Sequence, residues 1–450
     1  MTESPPREWK TARPKGTSKM TTTLLRIATA GSVDDGKSTL VGRLLHDAKA
    51  ILADSLDDIA RTSAERGFGG ADGTLDLALV TDGLRAEREQ GITIDVAYRY
   101  FSTDKRSFIL ADCPGHVQYT RNTVTGASTA DAAIVLVDAR NGVLEQTRRH
   151  LGVLALLRVP RLVVAVNKMD LIGWDEQGFK TIESEVLSLA NELGIASTTV
   201  IPVSALQGDN VVEASQSATW YTGPTLLGLL EDLEPKLGGG VARLDVQYVI
   251  RPQGALAPGL DPEAYRDYRG YAGTLVDGTL NVGDTVQVLS NGHPVGSRIK
   301  AISTPAGPAQ SAQAGDAIVV ELDTDLDIAR GDTIVAGELP LAQREFEANI
   351  CVLDPVKLTN GQRLLIKHGT KVSAAKLSSI DYVINVADYA QQPADSLELN
   401  DLGRITLRSQ AALAIEQYAT SRTGGSFLLI DPTTGRTLAA GIIEEKHEAA

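Results

Sequence analysis

The sequence predicts a multidomain protein, in which an amino-terminal α/β domain precedes two all-β barrel domains. Three observations lead to this prediction. The chain has 450 residues, which is enough for two or three folded units. From residue 24 to about residue 233, short apolar runs alternate with longer helical patterns, as in a domain built around a mostly parallel sheet. Beyond residue 240, short β-rich runs are separated by Gly, Asn, Asp and Pro turns.

The α/β part contains six candidate strands. Four of them are continuous apolar runs, which is typical of strands buried on both faces of a sheet. The run 95–101 alternates more between apolar and polar residues, so we place it nearer an edge. A helical pattern over 37–45 follows the first strand. The predicted strands are residues 24–30, 95–101, 107–112, 132–138, 161–167 and 199–203.

Two breaks divide the remainder of the chain. Residues 234–240 contain a proline and three glycines, which favour neither helix nor strand, so they predict a domain linker. A second break near 337–340 separates two β units of about 100 residues, the size of small barrels. Their β-rich runs include 245–251, 285–289, 317–322, 347–353 and 427–431. The predicted limits are a disordered tail at 1–20, the α/β domain at 21–237, and barrels at 241–338 and 339–445.

Composition and charge exclude several classes of protein. Apolar residues make up 43% of the chain and charged residues 22%, as in ordinary globular proteins. No uninterrupted apolar run reaches the roughly 18 residues of a membrane span, so no membrane contact is expected. A net charge of -14 has the wrong sign for binding nucleic acid mainly by electrostatics, so no nucleic-acid partner is expected. The two cysteines, Cys113 and Cys351, and a basic tail without an apolar region favour the reducing cytoplasm.

Residues 31–38 read GSVDDGKS and match the phosphate-loop pattern GxxxxGK[ST]. They lie between an apolar strand and a helical pattern, which is the context that this motif requires. Gly31 and Gly36 let the backbone wrap a phosphate, Lys37 balances phosphate charge, and the Ser38 hydroxyl suits Mg2+. The sequence therefore predicts a nucleotide site that also binds Mg2+.

Two later segments predict which base the site binds. Asp170 can accept hydrogen bonds from N1–H and the 2-amino group of guanine, a pair of donors that adenine does not offer. The Lys168 stem can lie over the ring, and Asn167 with the turn at Ser204 can hold the base. The nucleotide is therefore predicted to be GTP. The two segments are Asn167, Lys168, Met169 and Asp170, and Ser204, Ala205 and Leu206, each directly after an apolar strand.

Residues 112–116 read DCPGH and end another apolar strand. This position lets Asp112 reach the Mg2+ shell and the Gly115 N–H meet the γ-phosphate. Thr93 is the candidate for a second hydroxyl on the metal, although a strand-edge threonine is the alternative. His116 stands where a water-orienting residue is needed, although a surface histidine after a turn is the alternative. Cys113 is interpreted as a packed small residue and is assigned no chemistry.

These motifs, in this order and ahead of two β units, resemble the translation-factor branch of GTPases. The spelling over 32–40, 87–101 and 113–122 more closely resembles the large, GTP-hydrolysing subunit of bacterial sulfate adenylyltransferase. Elongation factor Tu typically has histidines in place of Ser32 and Asp35 and an arginine in place of Gln90. The resemblance extends from residue 21 to residue 444. One departure is Thr123, where the family pattern suggests methionine.

The resemblance implies roles for individual residues. It makes His116 the catalytic, water-positioning residue, with Val33 and Ile92 as a hydrophobic gate beside it. It makes Ser38, Thr93 and Asp112 the metal and γ-phosphate contacts. The full set implied to bind GTP is Gly31, Ser32, Val33, Asp34, Asp35, Gly36, Lys37, Ser38, Thr39, Asp112, Cys113, Pro114, Gly115, Asn167, Lys168, Met169, Asp170, Ser204, Ala205 and Leu206.

The resemblance also implies a partner. In that family a separate small subunit transfers the adenylyl group from ATP to sulfate, and GTP hydrolysis drives this reaction. No second phosphate loop and no pyrophosphate loop of the SGGxDS type occur, so this chain is expected neither to phosphorylate adenylylsulfate nor to form it alone. The alternative function is an elongation factor-like GTPase that delivers aminoacyl-tRNA, which only the common fold supports.

Two other segments keep two interpretations each. Residues 367–371 either contact the partner or form a charged turn between strands. The glycines at 67–73 make the segment before Thr93 either a mobile switch loop or an ordinary surface insertion.

Overall fold

The computed structural model describes residues 23–50, 61, 63, 76–80, 95–116, 120–195, 197–234, 240–252, 256, 261, 263, 265–290 and 293–444. Several predictions from the sequence lie outside these residues. They are the tail at 1–20, the glycine-containing loop at 67–73, Ile92 and Thr93, and most of the linker at 234–240.

The α/β domain has one six-stranded sheet with helices on both faces. Its strands are β1 (Thr23–Gly31), β2 (Ala97–Ser102), β3 (Arg106–Asp112), β4 (Ala132–Asp138), β5 (Leu162–Asn167) and β6 (Thr198–Pro202). Its helices are α1 (Lys37–Asp47), α2 (Thr120–Ala127), α3 (Glu145–Leu156), α4 (Glu176–Glu192) and α5 (Leu226–Asp232), with 3-10 turns at Leu77–Val80 and Met169–Ile172.

The strand order is β2-β3-β1-β4-β5-β6, and every pairing is parallel except β2 with β3. All seven residues of β4 are buried, because its side chains point alternately into two cores. Val135 packs with the helices on one face, and Leu136 packs with those on the other. The six predicted strands are confirmed, and the prediction that 95–101 lies near an edge is confirmed by β2. The carboxyl ends of β1, β3, β4 and β5 therefore meet at one edge of the sheet, where the predicted motifs lie.

The first barrel begins after residue 240. Its strands are β7 (Ala242–Asp245), β8 (Tyr248–Ile250), β9 (Gly270–Asp277), β10 (Thr279–Asn281), β11 (Thr285–Ser290), β12 (His293–Thr304), β13 (Gly307–Ala309), β14 (Ser311–Gln313), β15 (Ala317–Leu322) and β16 (Thr333–Ala336). Six antiparallel strands close the barrel in the order β11-β16-β7-β9-β15-β12 and back to β11. The single run expected at 245–251 is two strands, because β7 pairs with both β16 and β9 whereas β8 pairs with β9.

The second barrel follows the first directly along the chain. Its strands are β17 (Leu341–Val352), β18 (Leu358–Thr359), β19 (Arg363–His368), β20 (Lys371–Ile384), β21 (Gln391–Gln392), β22 (Ser396–Leu397), β23 (Leu402–Ile415), β24 (Ser426–Ile430) and β25 (Thr437–Ile443). Six of these strands close in the order β19-β24-β25-β17-β23-β20 and back to β19. The fold class predicted from the sequence, an α/β domain followed by two all-β barrels, is confirmed. We propose 21–237, 241–338 and 339–445 as the domain limits.

A buried ionic cluster joins the two barrels. The Arg243 guanidinium donates to Asp245 Oδ1 at 3.0 Å within the first barrel and to Glu416 Oε2 at 2.7 Å in the second. Nearby, the buried His368 donates from Nε2 to the Gly424 carbonyl at 2.8 Å. His368 ends β19, so part of the segment 367–371 packs inside the interface of the barrels rather than forming only an exposed turn.

The second barrel also contacts the α/β domain, chiefly at helix α3 and the residues after it. The Tyr389 hydroxyl donates to the Arg148 carbonyl at 2.7 Å, and the Tyr418 hydroxyl donates to the Leu157 carbonyl at 3.0 Å. Cys351 and Leu402 of the barrel share one apolar cluster with the α/β domain. These contacts hold the barrel against the domain that carries the predicted nucleotide site.

Candidate nucleotide-binding and catalytic site

The phosphate loop connects β1 to α1 at the carboxyl edge of the sheet. Gly36 has a φ of 91°, a left-handed conformation that glycine adopts without strain, and α1 begins at the next residue. The main-chain N–H of Ser32 donates to Asp35 Oδ2 at 2.7 Å, which closes the loop on itself. A Cβ at Gly36 would collide with the side-chain amide of Asn167, so the loop packs directly on the segment predicted to bind the base.

Lys37 is the buried cation of this loop. Its Nζ donates to the Gly31 carbonyl at 2.8 Å and to the Ser32 carbonyl at 2.9 Å, so the chain curls around the ammonium group. Burial lowers the pKa of Lys37, and the nearby carboxylates of Asp112 and Asp35 oppose this change. A cation held by carbonyl oxygens is poised to bind the phosphates of a nucleotide.

Asp112 lies at the end of β3 beside the phosphate loop. It is 1% exposed, and its Oδ1 accepts a hydrogen bond from the Thr29 hydroxyl at 2.8 Å. The same hydroxyl accepts from the N–H of Cys113 at 3.3 Å. Thr29 on β1 thus fixes both the carboxylate and the start of the DCPGH segment.

Gly115 packs against the phosphate loop, as a γ-phosphate sensor requires. A Cβ at this position would collide with Lys37 Nζ and would lie 2.6 Å from the Gly31 carbonyl oxygen. The Gly115 carbonyl accepts a hydrogen bond from Gln146 Nε2 at 3.3 Å. His116 follows and is half-buried. Only a residue without a side chain therefore fits at position 115 without displacing the phosphate loop.

Helix α3 supports this contact through a buried histidine. Gln146 Nε2 lies 3.2 Å from His150 Nε2, and His150 also hydrogen bonds to the main chain of Gly31. Since the amide group donates, His150 Nε2 accepts, and its proton is on Nδ1. Burial and the charge of Lys37 lower the pKa of His150 to about 3. A neutral imidazole therefore connects the phosphate loop to the residue that holds Gly115.

The base-binding segments come together around Asn167. Its Nδ2 donates to the Asp35 carbonyl at 2.7 Å, and its Oδ1 accepts from the Ala205 N–H at 2.9 Å. Arg43 on α1 holds the second segment, because its Nε donates to the Ala205 carbonyl at 3.2 Å. Asn167, at 2% exposure, thus joins the phosphate loop and both predicted base loops.

Lys168 bridges the base loop and the phosphate loop. Its Nζ lies 3.0 Å from Asp138 Oδ2 and donates to the Asp34 carbonyl. Lys168 has a φ of 63°, and the turn Met169–Ile172 that carries Asp170 begins directly after it. Asp138 ends β4, and Arg140 also binds its carboxylate, with the guanidinium nitrogen 2.6 Å from Oδ2.

The remaining predicted residues divide by burial. Ser38 and Thr39 lie half-buried in the first turn of α1, and Asp170 is half-buried in its turn. Val33 and Leu206 are exposed, at 40% and 44%. The side chains of Cys113, Pro114 and Met169 are buried, so these residues can reach a ligand only through their main chain. Ser204 is also buried, and its Oγ accepts a hydrogen bond from the Gln207 N–H at 3.2 Å.

Sequence reasoning missed five residues that hold this site. None belongs to a motif, and each acts on a motif residue that is distant in sequence. The only signal for Gln146 and His150 was their spacing of four residues on a helix, which places both on one face. Asp138 could have been found as a carboxylate at the end of an apolar strand, as Asp112 was. The five are Thr29, Arg43, Asp138, Gln146 and His150.

The donor set at the predicted metal site suits Mg2+. The Ser38 hydroxyl and the Asp112 carboxylate are hard oxygen donors, and Thr29 orients the carboxylate. Among the residues whose placement is described, no group of three or more His, Cys, Asp or Glu could hold a metal ion by itself.

Comparison with known proteins supports a GTPase. Residues 22–236 match the family model of the elongation factor Tu GTP binding domain, and residues 345–444 match that of the GTP-eEF1A C-terminal domain-like family.

Each helix within the described ranges is too short or too polar to span a lipid bilayer.

Relatives that match over most of this chain identify the family more specifically. Sulfate adenylyltransferase subunit 1 of Chromobacterium violaceum is 45% identical, over 95% of this chain and 87% of its own length. The subunit 1 of Salmonella paratyphi C is 45% identical, over 94% and 86%. The bifunctional enzyme CysN/CysC of Mycobacterium tuberculosis is 50% identical, over 94% of this chain and 67% of its own length. The chain belongs to the sulfate adenylyltransferase subunit 1 family, with an elongation factor Tu-like GTPase domain at its amino-terminal end.

Proposed function

We propose that this chain is the GTP-hydrolysing subunit of a sulfate adenylyltransferase. Its GTP hydrolysis drives the formation of adenylylsulfate and diphosphate from ATP and sulfate, which a small partner subunit catalyses. The observation that carries the proposal is the convergence of the phosphate loop, Gly115 and both base loops on Asn167 and Lys37, in a chain of this family. This reaction is the first step of sulfate assimilation toward cysteine, and the enzyme acts in the cytoplasm.

The chain's own residues account for nucleotide binding. Lys37 exchanges its two carbonyl partners for phosphate oxygens, and the Gly115 N–H donates to the γ-phosphate. Asp170 accepts from the guanine edge, while Asn167 and the Ser204–Leu206 loop hold the base. Ser38, Thr93 and Asp112 would hold Mg2+, which would supply positive charge against the charge of the phosphates.

His116 is the proposed catalytic residue. It directly follows Gly115, the proposed γ-phosphate sensor, and is half-buried. It positions and polarises the attacking water. Val33 is exposed, which suits one half of a hydrophobic gate that Ile92 would complete.

A separate small subunit is the proposed partner. The name "subunit 1" of the relatives implies a second subunit, and this chain has one phosphate loop of its own. The alternative, delivery of aminoacyl-tRNA in the manner of an elongation factor, rests on the shared domain alone, whereas the relatives matched over most of their length carry the sulfate adenylyltransferase name.

Reconstitution with the cognate small subunit tests the proposal. Phosphate release from GTP and adenylylsulfate formation are followed together, with wild-type chain and with His116→Ala. We expect slow GTP hydrolysis by the chain alone, acceleration by the small subunit with ATP and sulfate, and adenylylsulfate only when both subunits are present. His116→Ala should still bind GTP but lose both the stimulated hydrolysis and the GTP-driven gain in adenylylsulfate.

Two outcomes would contradict the proposal. If His116→Ala raises adenylylsulfate formation as much as the wild type does, hydrolysis is not the driving step. If the wild-type chain does not respond to the small subunit but binds charged tRNA in a filter assay, the alternative function is correct.

A further inference from the structure

Asp138 lies at the junction of the phosphate loop and the predicted base loop. It is the last residue of β4, and its side chain is 2% exposed. Its Oδ1 accepts from the main-chain N–H and from Nε of Arg140, both at 3.0 Å. Its Oδ2 lies 2.6 Å from the guanidinium of Arg140 and 3.0 Å from Lys168 Nζ. The Asp138 carboxylate therefore contacts two cations, Arg140 through both oxygens and Lys168 through Oδ2.

The two cations differ in where they are held. The Arg140 side chain is 48% exposed, and Arg140 is two residues after Asp138, so that pair is local to one turn. Lys168 belongs to a different strand end, and its Nζ also donates to the Asp34 carbonyl of the phosphate loop. Asp138 thus fixes the ammonium end of the side chain whose stem is proposed to cover the base.

Asp138 is ionised in this arrangement. Burial by itself raises the pKa of a carboxyl group, but hydrogen bonds from Arg140 and Lys168 outweigh this effect and hold the pKa of Asp138 well below its ordinary value. A negative charge 3.0 Å from Lys168 Nζ holds the ammonium group in place.

We propose that Asp138 is a positioning residue for the guanine nucleotide, acting through Lys168. The inference rests on the proposed function, since it assumes that the Asn167–Asp170 segment binds the base. By holding Lys168 Nζ between β4 and the phosphate loop, Asp138 fixes the lysine stem over the ring before the nucleotide arrives. It does not touch the hydrogen-bonding edge of the base, which Asp170 reads.

Asp138→Asn tests the proposal, because the amide keeps the shape and removes the charge. We expect the dissociation constants of GTP and GDP to rise about ten-fold, as for loss of a charge-assisted contact. Turnover at saturating GTP should stay within about two-fold, since the Asp138 carboxylate contacts Arg140 and Lys168 rather than Lys37 or Gly115. The preference for GTP over ITP and XTP should not change. An unchanged GTP affinity would overturn the proposal.

A double-mutant cycle with Lys168→Gln separates positioning from a general structural effect. If Asp138 acts through Lys168, adding Asp138→Asn to Lys168→Gln should raise the dissociation constant by less than about two-fold. Independent, multiplicative losses would overturn the inference. If Asp138→Asn does not fold, Lys168→Gln still provides a test, because it removes the ion pair and keeps most of the stem; wild-type affinity in that variant would overturn the inference.

Two further variants complete the design. Asp175→Asn is a matched control, because Asp175 accepts two main-chain hydrogen bonds at the start of α4 without contacting Lys168. It should bind GTP normally. Asp170→Asn should weaken GTP and favour XTP. If Asp170→Asn leaves the base preference unchanged, the proposed base pocket fails; if it shifts the preference while Asp138→Asn has no effect, only the positioning inference fails.

Discussion

At the scale of single residues, the site depends on close approach of main chain to charged groups. Gly115 is the clearest case, because the space that a side chain would need is filled by Lys37 Nζ and the Gly31 carbonyl. Close backbone approach of this kind is a function that only glycine serves. The site therefore tolerates no added atom at the proposed γ-phosphate sensor.

Gly115→Ala is expected to disturb the Lys37 contacts and displace the sensor. We expect GTP hydrolysis to fall about ten-fold or more, because misplaced donors lose the charge stabilisation on which phosphoryl transfer depends. Gly296→Ala on β12 is the matched control, because a Cβ there meets open space. Single-turnover hydrolysis and melting curves measure both variants. Equal hydrolysis rates for the two variants would show that position 115 is not close to the γ-phosphate.

Motif residues could be predicted one by one from the sequence, whereas their supports could not. Lys37, Asp112 and Asn167 belong to local patterns of residue types, and such patterns are visible in one dimension. Asp138 and His150 act on Lys168 and Gly31, more than 25 residues away in sequence, so only the packing of β4 and α3 reveals them. Met169 shows a further limit of the sequence, since its place in a binding motif gave no sign that its side chain is buried in the core.

At the scale of elements, helix α3 stands between the nucleotide site and the second barrel. Its residues Gln146 and His150 contact Gly115 and the phosphate loop, while Arg148 accepts a hydrogen bond from Tyr389 of the barrel. The strands around it could be predicted because apolar runs mark buried parallel strands. The barrel strands were harder to delimit, because a change of pairing partner, as between β7 and β8, leaves no mark in the hydrophobic pattern.

The buried His150 leads to a prediction about how the free energy of unfolding depends on pH in acid. Its pKa of about 3 in the folded chain is below the ordinary 6.5, so the unfolded state binds more protons between these values. The stability is therefore complete above about pH 6.5 and falls as the pH drops toward 3. Relative to His150→Gln, the wild type should lose about 1.4 kcal/mol more per pH unit between about pH 6 and 4.

Urea unfolding followed by tryptophan fluorescence measures this difference. Trp174 and Trp220 both lie in the α/β domain, and the third tryptophan is Trp9 in the tail. Subtracting the variant's slope removes the contribution of carboxylates common to both proteins. Parallel pH profiles for wild type and variant would show that His150 takes up a proton in the folded chain as easily as in the unfolded one.

At the scale of the whole molecule, two kinds of interface hold the domains together. Ion pairs connect the two barrels. Hydrogen bonds from tyrosine and arginine side chains to main-chain carbonyls connect the second barrel to the α/β domain. Arg422 illustrates the latter, because its guanidinium donates to the Ala130 carbonyl at 2.9 Å and the Arg158 carbonyl at 2.8 Å. None of these interfaces was predictable from the sequence, because each residue pairs with a partner in another domain. The domain order was predictable, since linker composition and strand spacing are local properties.

The final prediction concerns the Arg243 cluster and the stability of the two barrels. Arg243→Ala leaves Asp245, which is buried, and Glu416 without their shared cation, and removing one partner of a buried ion pair costs about 3–5 kcal/mol. We expect a clear fall in the melting temperature of the barrels and increased protease cleavage between them. GTP affinity should change less than about two-fold, because among the described residues the hydrogen bonds of the Arg243 guanidinium all go to residues of the two barrels and none goes to the nucleotide site. Arg344→Ala is the matched control, since Arg344 donates to a single carbonyl in an exposed position. If Arg243→Ala weakens GTP binding as strongly as it lowers the melting temperature, the barrels and the nucleotide site form one cooperative unit, and the separation argued here is wrong.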